Sequence, residues 1–452
     1  MRMPPAHRVA VIGAGAAGLA AVKALLDAGV EVVAYEKGDR PGGLWARDNA
    51  SGLSPAYPSL HLNTSRKRTE FADYPMPRHW PDYPSADLVA GYLADYSAEF
   101  GLTGHIRFGT TVATVERAGD GGWEVTTDSG DTDRYAGVVV ANGHNWLPRT
   151  TDPAYPGHFD GVETHAHDYR TPEVFRDRRV LVVGMGNSAM DIAVDASHVA
   201  RGPVLLSARR GVHIVPKYLF GRPSDATGGA LAVLPWRVRQ RVAETLLRLA
   251  VGTPQRYGLP APEGGLFQNH PTISDTILHR LTHGEVAARP GIERLAGNSV
   301  VFTDGTSAPV DVIVWATGYQ VGIPFLTARW VGDDPEQLPL YHRVFHLDDP
   351  SLTFVGLMQS TGAALPVVEV QAKLAAAWFS GGYALPPAAE QRRAVDRALR
   401  AAVARWGDRR PRMRIDFDRY LAAVPREIAA GRARLRRGAR PFTATARAGS
   451  PA

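Results

Sequence analysis

The chain has 452 residues, of which 44% are hydrophobic and 21% are charged, and it contains no cysteine. This composition is that of a globular protein and excludes a chain that is disordered over most of its length. The absence of cysteine excludes disulfides, thiolate metal sites and thiol catalysis together. The length predicts two or three domains.

The net charge of +6 is concentrated near the end of the chain. Between Arg426 and Arg447 there are seven arginines and one acid, Glu427, so this segment alone accounts for the net charge. The rest of the chain sums to about zero, and we therefore expect no nucleic-acid partner. We expect residues 426–452 to form a solvated or frayed basic tail.

Two apolar stretches invite comparison with secretory or membrane segments. The run from Val9 to Val22 follows two arginines, but glycines divide it into a strand, a turn and the start of a helix, unlike a secretory signal. The stretch from Ser351 to Val368 contains Ser, Thr, Gln, Gly and Pro, which do not suit a lipid-facing helix. We expect a soluble, cytoplasmic protein without membrane association.

A first nucleotide site follows a short buried-strand pattern, Arg8 to Ile12, at the sequence Gly-Ala-Gly-Ala-Ala-Gly. Here Gly13 makes the tight turn, Gly15 lets a pyrophosphate approach the backbone, and Gly18 lets the following helix pack on the strand. The next strand ends in Glu36, whose carboxylate can accept hydrogen bonds from ribose hydroxyls. These residues indicate FAD or NAD. The candidate residues are Gly13, Ala14, Gly15, Ala17, Gly18, Glu36 and Lys37.

A second nucleotide site follows the strand pattern Arg179 to Val183, at the sequence Gly-Met-Gly-Asn-Ser-Ala. The strand after it, Val204 to Leu206, leads into a hydroxyl and two guanidinium groups rather than an acid. These groups can bind a 2′-phosphate, which a carboxylate would repel, so the site indicates NADP(H). The alternative is that both arginines lie on a solvated strand end. The candidate residues are Gly184, Gly186, Asn187, Ser188, Ala189, Ser207, Arg209 and Arg210.

A chain that binds FAD and NADPH separately is most simply a flavoenzyme in which the nicotinamide delivers hydride to the flavin. One large class of such enzymes passes the electrons to a cysteine pair, and the lack of cysteine excludes it. The remaining acceptors are oxygen, a quinone or dye, and another protein.

The segment Phe159 to Tyr169 resembles the FxGxxxHxxx(F/Y) fingerprint of the flavin-containing monooxygenases, the group B flavoprotein monooxygenase family, at every fixed position. Baeyer–Villiger monooxygenases of the common type usually carry Trp at the last position, so Tyr169 favours the former family. Four more segments are similar to family motifs along nearly the whole chain: Gly42–Trp45, His61–Ser65 with Phe71–Pro75, Asp311–Tyr319, and Gly356–Gln359. The segment His270–Asp275 also looks family-like, without an assigned mechanism.

The resemblance implies further site residues. It assigns the catalytic role to Asn63, which in the family lies at the flavin and holds NADP+ and the oxygenated intermediate; from composition alone a loop Asn is a turn former. It adds a set of residues to the FAD site: Gly43, Leu44, Trp45, His61, Thr64, Val112 and Gln359. No metal is implied, and His165 and His167 are interpreted as structural or interdomain residues.

The predicted fold is α/β, with two Rossmann-like dinucleotide-binding domains and the NADPH domain inserted in the FAD domain. We predict FAD-domain segments at 1–148 and 310–425, the NADPH domain at 149–309 with a helical insertion at about 220–275, and the basic tail at 426–452. Strand patterns at Thr110–Val115, Trp123–Thr127 and Val138–Ala141 predict a meander. The stretch Leu231–Val251 is basic and amphipathic, which suits a helical pair over the substrate entrance, a dimer contact or a membrane surface.

The resemblance implies that NADPH reduces FAD, that NADP+ stays bound, and that O2 then forms a flavin C4a-hydroperoxide. This species would oxygenate a soft nitrogen or sulfur centre of a small amine or sulfide to an N-oxide, hydroxylamine or S-oxide. A Baeyer–Villiger monooxygenase acting on ketones, an NADPH oxidase or reductase, and a nucleotide-binding scaffold are the alternatives. A homodimer is left open.

Overall fold

The computed structural model describes residues 8–119, 121–151, 154–226, 235–266, 268 and 271–443. Three predicted segments therefore lie partly outside the described residues: the family-like segment at its first residue, His270, the basic amphipathic stretch before Pro235, and the tail after residue 443.

The described chain contains α-helices and short strands, and several strands often follow one another without an α-helix between them. The α-helices are α1 (Ala16–Asp27), α2 (Arg66–Thr69), α3 (Ala86–Glu99), α4 (Asn187–Ala196), α5 (Trp236–Val251), α6 (Thr276–Thr282), α7 (Ala328–Val331), α8 (Leu365–Phe379), α9 (Ala388–Trp406) and α10 (Phe417–Arg436). The strands are β1 (Val9–Ile12), β2 (Val32–Tyr35), β3 (Ile106–Arg107), β4 (Val112–Arg117), β5 (Trp123–Thr127), β6 (Thr132–Tyr135), β7 (Gly137–Val140), β8 (Leu147–Pro148), β9 (Gly157–Phe159), β10 (Val162–His165), β11 (Val180–Val183), β12 (Val204–Ser207), β13 (Ile214–Val215), β14 (Tyr218–Leu219), β15 (Arg222–Pro223), β16 (Thr272–Ile273), β17 (Val286–Arg289), β18 (Ile292–Gly297), β19 (Ser299–Phe302), β20 (Ser307–Pro309), β21 (Val312–Trp315), β22 (Tyr319–Gln320), β23 (Leu340–Tyr341), β24 (Phe345–His346), β25 (Leu352–Phe354), β26 (Gln359–Ser360) and β27 (Arg414–Ile415).

The first large sheet has the order β23-β24-β25-β7-β1-β2-β3. Its strands from β25 to β3 are parallel, and β23 and β24 add an antiparallel edge. Strands β1 and β7 are buried along their whole length, as expected for a parallel sheet covered on both faces. Helices α1 and α8 pack together, and Leu19 and Leu374 share one buried cluster with Val11. This packing places the end of β1 and the start of α1 at one edge of the sheet.

The second large sheet has the order β10-β21-β11-β12-β17, and all of its strands are parallel. The chain that forms it lies between the segments that form the first sheet, so the predicted α/β fold with an inserted second nucleotide domain is confirmed. Strand β21, at Val312–Trp315, pairs with β10 and β11. It therefore belongs to the second sheet, although it lies past residue 309, where we predicted the end of the NADPH domain. The other predicted boundaries stay predictions.

The predicted meander differs from the observed one in its third strand. Strands β4, β5 and β6 form an antiparallel sheet, so Thr132–Tyr135 takes the third place. The run at Val138–Ala141, which we predicted for that place, lies instead mostly in β7, at the centre of the first sheet. An unbroken apolar run suits a strand covered on both faces better than a meander strand.

The prediction of a solvated or frayed tail is wrong for residues 426–443. Helix α10 continues to Arg436, and its buried Gly431 packs against the ring of Tyr383. Beyond the helix, Phe442 contacts the rings of Trp378 and Phe379 at centroid distances of 5.3 and 5.2 Å. Arg426, Arg432 and Arg436 are exposed on a helix whose other face is apolar, so the number of arginines did not indicate disorder.

The region predicted as a helical insertion contains helix α5. Its Leu247 is buried, whereas Leu249 is 76% exposed. Within the described ranges, no helix is both long enough and apolar enough to cross a membrane.

Candidate functional site

The turn between β1 and α1 is built so that only glycine fits at two of its positions. Gly13 has φ +107°, and a Cβ there would lie 2.7 Å from the carbonyl oxygen of Ala141. A Cβ on Gly18 would lie 1.8 Å from the carbonyl oxygen of Gly13. Helix α1 begins right after Gly15, so its free N–H groups face the space above this turn, where a pyrophosphate binds in such folds.

The acid at the end of the next strand is fixed beside this turn. The carboxylate of Glu36 is buried and accepts hydrogen bonds from the backbone N–H of Ala14 at 2.6 Å and of Gly38 at 2.7 Å. Each carboxylate oxygen has a second lone-pair site. The same carboxylate can therefore accept a hydrogen bond from a ribose hydroxyl and keep both of its backbone hydrogen bonds.

The segment around Gly43 reaches the same turn from another part of the chain. Gly43 has φ +55°, and a Cβ there would lie 2.8 Å from the Cα of Gly15. Two glycines that meet this closely leave the backbone open to a phosphate group. The structure thus brings together two segments that the sequence assigned separately to the FAD site.

The second turn, between β11 and α4, repeats the geometry of the first. Gly184 has φ +136°, and a Cβ there would lie 2.5 Å from the carbonyl oxygen of Ala316. Asn187 begins α4, and its side-chain oxygen accepts a hydrogen bond from the backbone N–H of Ile273 at 2.8 Å. Ala189 is fully buried, which explains why only a small residue fits there.

The predicted 2′-phosphate residues are divided between the surface and the core. The hydroxyl of Ser207 is buried and donates to the carbonyl of Pro290 at 2.6 Å, so it points away from the nucleotide site. Arg210 is exposed, and its Nε lies 3.4 Å from Glu263. Arg409, which the sequence did not single out, contacts the same carboxylate at 2.8 Å from the C-terminal part of the chain.

One cavity of about 1100 Å³ connects the two turns. The predicted site residues that line it are Gly13, Gly15, Ala17, Glu36, Gly43, Leu44, Trp45, Asn63, Gly186, Asn187, Ser188, Ala189, Arg210 and Gln359. Other predicted residues do not line it: Ala14, Gly18, Lys37, His61, Thr64, Val112, Gly184, Ser207 and Arg209. Ala14, Gly18 and Gly184 shape the turns themselves. Val112 is buried in β4, whereas Lys37, His61 and Arg209 are exposed. The assignments stay predictions.

Asn63 lies in a segment that is held from both sides. The backbone N–H of Leu62 donates to Pro84 at 2.9 Å, and that of Ser65 donates to the carboxylate of Asp225 at 2.6 Å. The side chain of Asn63 is partly exposed and lines the cavity. The side-chain amide of Asn63 can both donate and accept hydrogen bonds there.

Several polar residues of the cavity were not identified from the sequence. His144 lies 3.1 Å, through Nδ1, from the carbonyl of Gly356. Burial and the nearby charge of Arg410 lower the pKa of His144 to about 4. The imidazole is therefore neutral near pH 7, and its Nδ1 carries the proton because a carbonyl can only accept. The one signal in the sequence was that His144 follows Asn142 and Gly143, where the first sheet ends.

The fingerprint segment lies at the interface between the two nucleotide domains. The hydroxyl of Tyr169 donates to Asp195 at 2.7 Å, and its ring packs on Tyr57 at a centroid distance of 5.3 Å. The hydroxyl of Tyr57 donates to Asp191 at 2.7 Å. Burial raises the pKa of Asp191 to about 6. Tyr169 of the fingerprint, with Tyr57, therefore connects helix α4 to the loop that carries Asn63.

The histidines of the fingerprint pack on the returning chain. His165 and His167 lie edge-on to the ring of Tyr319 at 5.7 and 5.9 Å. Burial lowers the pKa of both histidines. In the described part of the chain, no group of three or more His, Cys, Asp or Glu residues is arranged to hold a metal ion.

These residues fit two dinucleotides. Each turn offers a glycine cradle and a helix N-terminus, the first beside a carboxylate and the second beside guanidinium groups. Glu36 with the Gly15–Gly43 contact suits FAD, and Arg210 with Arg409 suits the 2′-phosphate of NADPH.

Comparison with known proteins agrees with this fit. The family described as flavin-binding monooxygenase-like matches residues 6–433. The chain is 35% identical over 413 residues to flavin-containing monooxygenase 5 of Oryctolagus cuniculus, which covers 85% of this chain and 75% of that protein. It is 33% identical over 407 residues to dimethylaniline monooxygenase (N-oxide-forming) 2 of Pan troglodytes, covering 84% and 75%.

Among solved structures, the S-allyl-L-cysteine S-oxygenase of Allium sativum is similar, with a TM-score of 0.70 and 26% identity over 94% of this chain and 88% of that chain. The predicted resemblance, enzyme class and cofactor pair are confirmed. The chain belongs to the flavin-binding monooxygenase-like family, and it is a flavoprotein monooxygenase that uses FAD, NADPH and O2.

Proposed function

We propose that this monooxygenase oxygenates a soft nitrogen or sulfur centre of a small amine or sulfide. The observation that carries the proposal is the single cavity that joins both nucleotide turns and has Asn63 in its wall. The relatives support this substrate class, since one is described as N-oxide-forming and one structural neighbour as an S-oxygenase. Tyr169 at the last position of the fingerprint favours it over Baeyer–Villiger chemistry.

The chain's own residues have three tasks in this reaction. When FAD is bound and reduced by NADPH, it supplies the activation of O2, of which one atom enters the substrate and the other leaves as water. Glu36 orients the ribose, and the N-terminus of α1 stabilises the pyrophosphate. Asn63 offers an amide at the cavity wall, and the surrounding walls exclude water. A soft nucleophile then needs access and no side-chain nucleophile.

The test uses purified holoenzyme with NADPH and isotopically labelled O2. A tertiary amine, a thioether and a cyclic ketone are offered separately, and products are identified by mass spectrometry. An N-oxide or S-oxide with one labelled oxygen, formed in equal amount to the NADPH consumed, supports the proposal. A lactone from the ketone would point to Baeyer–Villiger chemistry. Hydrogen peroxide without product would point to an oxidase.

The role of Asn63 is tested in the same assay. Asn63→Ala removes the amide and should lower the yield of product per NADPH, with more hydrogen peroxide released, whereas FAD content should not change. The matched control is Asn145→Ala, an exposed amide in another part of the cavity wall. If Asn63→Ala forms as much product per NADPH as the unaltered enzyme, Asn63 has no catalytic role. The homodimer and the cytoplasmic location also stay predictions.

A further inference from the structure

A second cavity adjoins the catalytic cavity but contains no residue of either nucleotide turn. It has a volume of about 420 Å³ and is enclosed by the hairpin β23–β24, helices α9 and α10, and strand β27. This volume is within the range of small-molecule sites. None of the predicted site residues lines it.

The walls of this cavity are mainly apolar, and one side is open. On α9, Ala398 and Ala401 are exposed and form the open side. The inner wall contains buried residues of the hairpin and of β27, among them Leu340 and Ile415. Small residues on the helix leave room for a slender apolar chain between these two walls.

The charged residues of the cavity are mostly cations. Among the described residues that line it, Arg343, Arg405 and Arg419 accompany a single carboxylate, that of Asp416. Asp416 is already paired with Arg405 at 2.8 Å. These three cations are therefore only partly balanced by the carboxylate that lines the cavity with them.

Arg343 is a deeply buried cation of this cavity. It is 7% exposed, and its guanidinium donates to the carbonyl of Pro411 at 3.2 Å. Among the described residues, no carboxylate forms an ion pair with it, and burial lowers its pKa to about 10. A buried charge without a counter-ion is costly, so an anion bound beside it would be strongly favoured.

Two further observations point to a ligand. Arg343 and the preceding His342 have φ of +57° and +50°, an unfavourable backbone conformation for side chains, and this hairpin turn directs them at the cavity wall. The indole N–H of Trp406, a residue that is 7% exposed, has no acceptor among the described residues. Buried donors normally find partners, and a carboxylate would provide one.

We propose that this cavity binds a small anionic amphiphile, an aliphatic carboxylate, with its carboxylate at Arg343 and its chain along the alanine face of α9. The apolar walls and the cationic inner end match the two parts of such a molecule. An uncharged molecule of the same shape would leave the guanidinium without a counter-ion.

The site is connected to the catalytic cavity. Arg414 lines both cavities, and β27, which begins with Arg414, pairs with β26. The backbone N–H of Gln359 in β26 donates to Met413 at 2.9 Å, and Gln359 lines the catalytic cavity. A ligand that reorients Arg414 therefore changes the surroundings of the flavin.

The test is isothermal titration of the holoenzyme with octanoate and, as its uncharged counterpart, octanamide. We expect octanoate to bind at one site per chain and octanamide to bind about tenfold more weakly or worse, because the charge-assisted hydrogen bond is lost. Ala398→Phe fills the open side and should abolish binding. Ala404→Phe is the matched control, since Ala404 is exposed on the same helix but does not line the cavity.

Arg343→Met should weaken octanoate binding to the level of octanamide. If that variant does not fold, Ala398→Phe and the octanamide comparison still decide the matter. Absence of octanoate binding, equal binding of octanamide, or undiminished binding to Ala398→Phe would each overturn the proposed site. Binding without any change in the visible absorbance of the flavin would overturn the connection through Arg414. These readouts do not depend on which substrate the enzyme oxygenates.

Discussion

Arg409 reaches the predicted 2′-phosphate site from a part of the chain remote from the NADPH domain, and its removal is the most informative test of that site. Arg210 and Arg409 contact the same carboxylate, Glu263, at 3.4 and 2.8 Å. Their side chains are 61% and 47% exposed, so solvent screens their interactions. Hydrogen bonds to charged groups contribute roughly 1.5–3 kcal/mol, and the exposure favours the low end. That corresponds to about a tenfold change in affinity.

Arg409→Ala should therefore raise the KM for NADPH about tenfold and leave the KM for NADH within a factor of about two. Steady-state oxidation of both nucleotides at saturating substrate measures the two values. Arg176→Ala is the matched control, because Arg176 forms an exposed pair with Glu173 in the NADPH domain and does not line the cavity. An equal loss with both nucleotides would show that Arg409 supports the structure instead.

Neutralising Glu263, the carboxylate that both arginines contact, should change the KM for NADPH in the opposite direction. Glu263→Gln removes a negative charge close to the expected phosphate, so the KM for NADPH should fall while that for NADH stays the same. If the KM for NADPH rises, Glu263 positions the arginines and does not compete with the phosphate.

Three further changes test the turns, the interface and the tail. Gly18→Ala places a Cβ 1.8 Å from a backbone carbonyl and should give protein without flavin absorbance, whereas Gly91→Ala, in open space on α3, should keep it. Burial raises the pKa of Asp191 from 3.8 to about 6. Ionisation of this carboxyl therefore lowers the stability of the folded protein as the pH rises from 3.8 to 6. Asp191→Asn should raise the melting temperature at pH 8 and not at pH 4. If Asp191→Asn changes the melting temperature by the same amount at pH 4 and at pH 8, the charge of Asp191 is not the cause. Gly431→Ala, with a Cβ 1.9 Å from the Tyr383 ring, should lower the free energy of unfolding by about 1–3 kcal/mol, measured by denaturant titration; a neutral effect would show that the ring can move.

The features that could be predicted from the sequence are those set by short-range geometry. Gly13 and Gly18 are required by a turn whose partners lie within a few residues along the chain or on a neighbouring strand. Glu36 follows because a strand of known length ends at the same sheet edge as the turn. The fingerprint could be recognised because its spacing matches a known family motif, and the part of it that forms β10 pairs with β21.

The features that could not be predicted depend on contacts between distant segments. Arg409 and Glu263 are 146 residues apart, and nothing in either local sequence indicates that they meet. Ser207 has a local pattern that suits phosphate binding, but a distant carbonyl, that of Pro290, takes its hydroxyl. The tail is different, since an apolar stripe through Leu421, Val424 and Ile428 was present and was outweighed by the count of arginines.

The two nucleotide turns are coupled through the chain that crosses between the domains. Gly13 and Gly184 each lie against a carbonyl, of Ala141 and Ala316, that ends a neighbouring strand. After each of these alanines the chain crosses to the other domain, and the two crossings pair as β8 and β22. Arg149 strengthens this pairing through its ion pair with Glu336 at 2.7 Å. A shift of either crossing therefore affects both turns, and this double connection acts together with the contact of Tyr57 with α4 in setting the distance between the two cofactors.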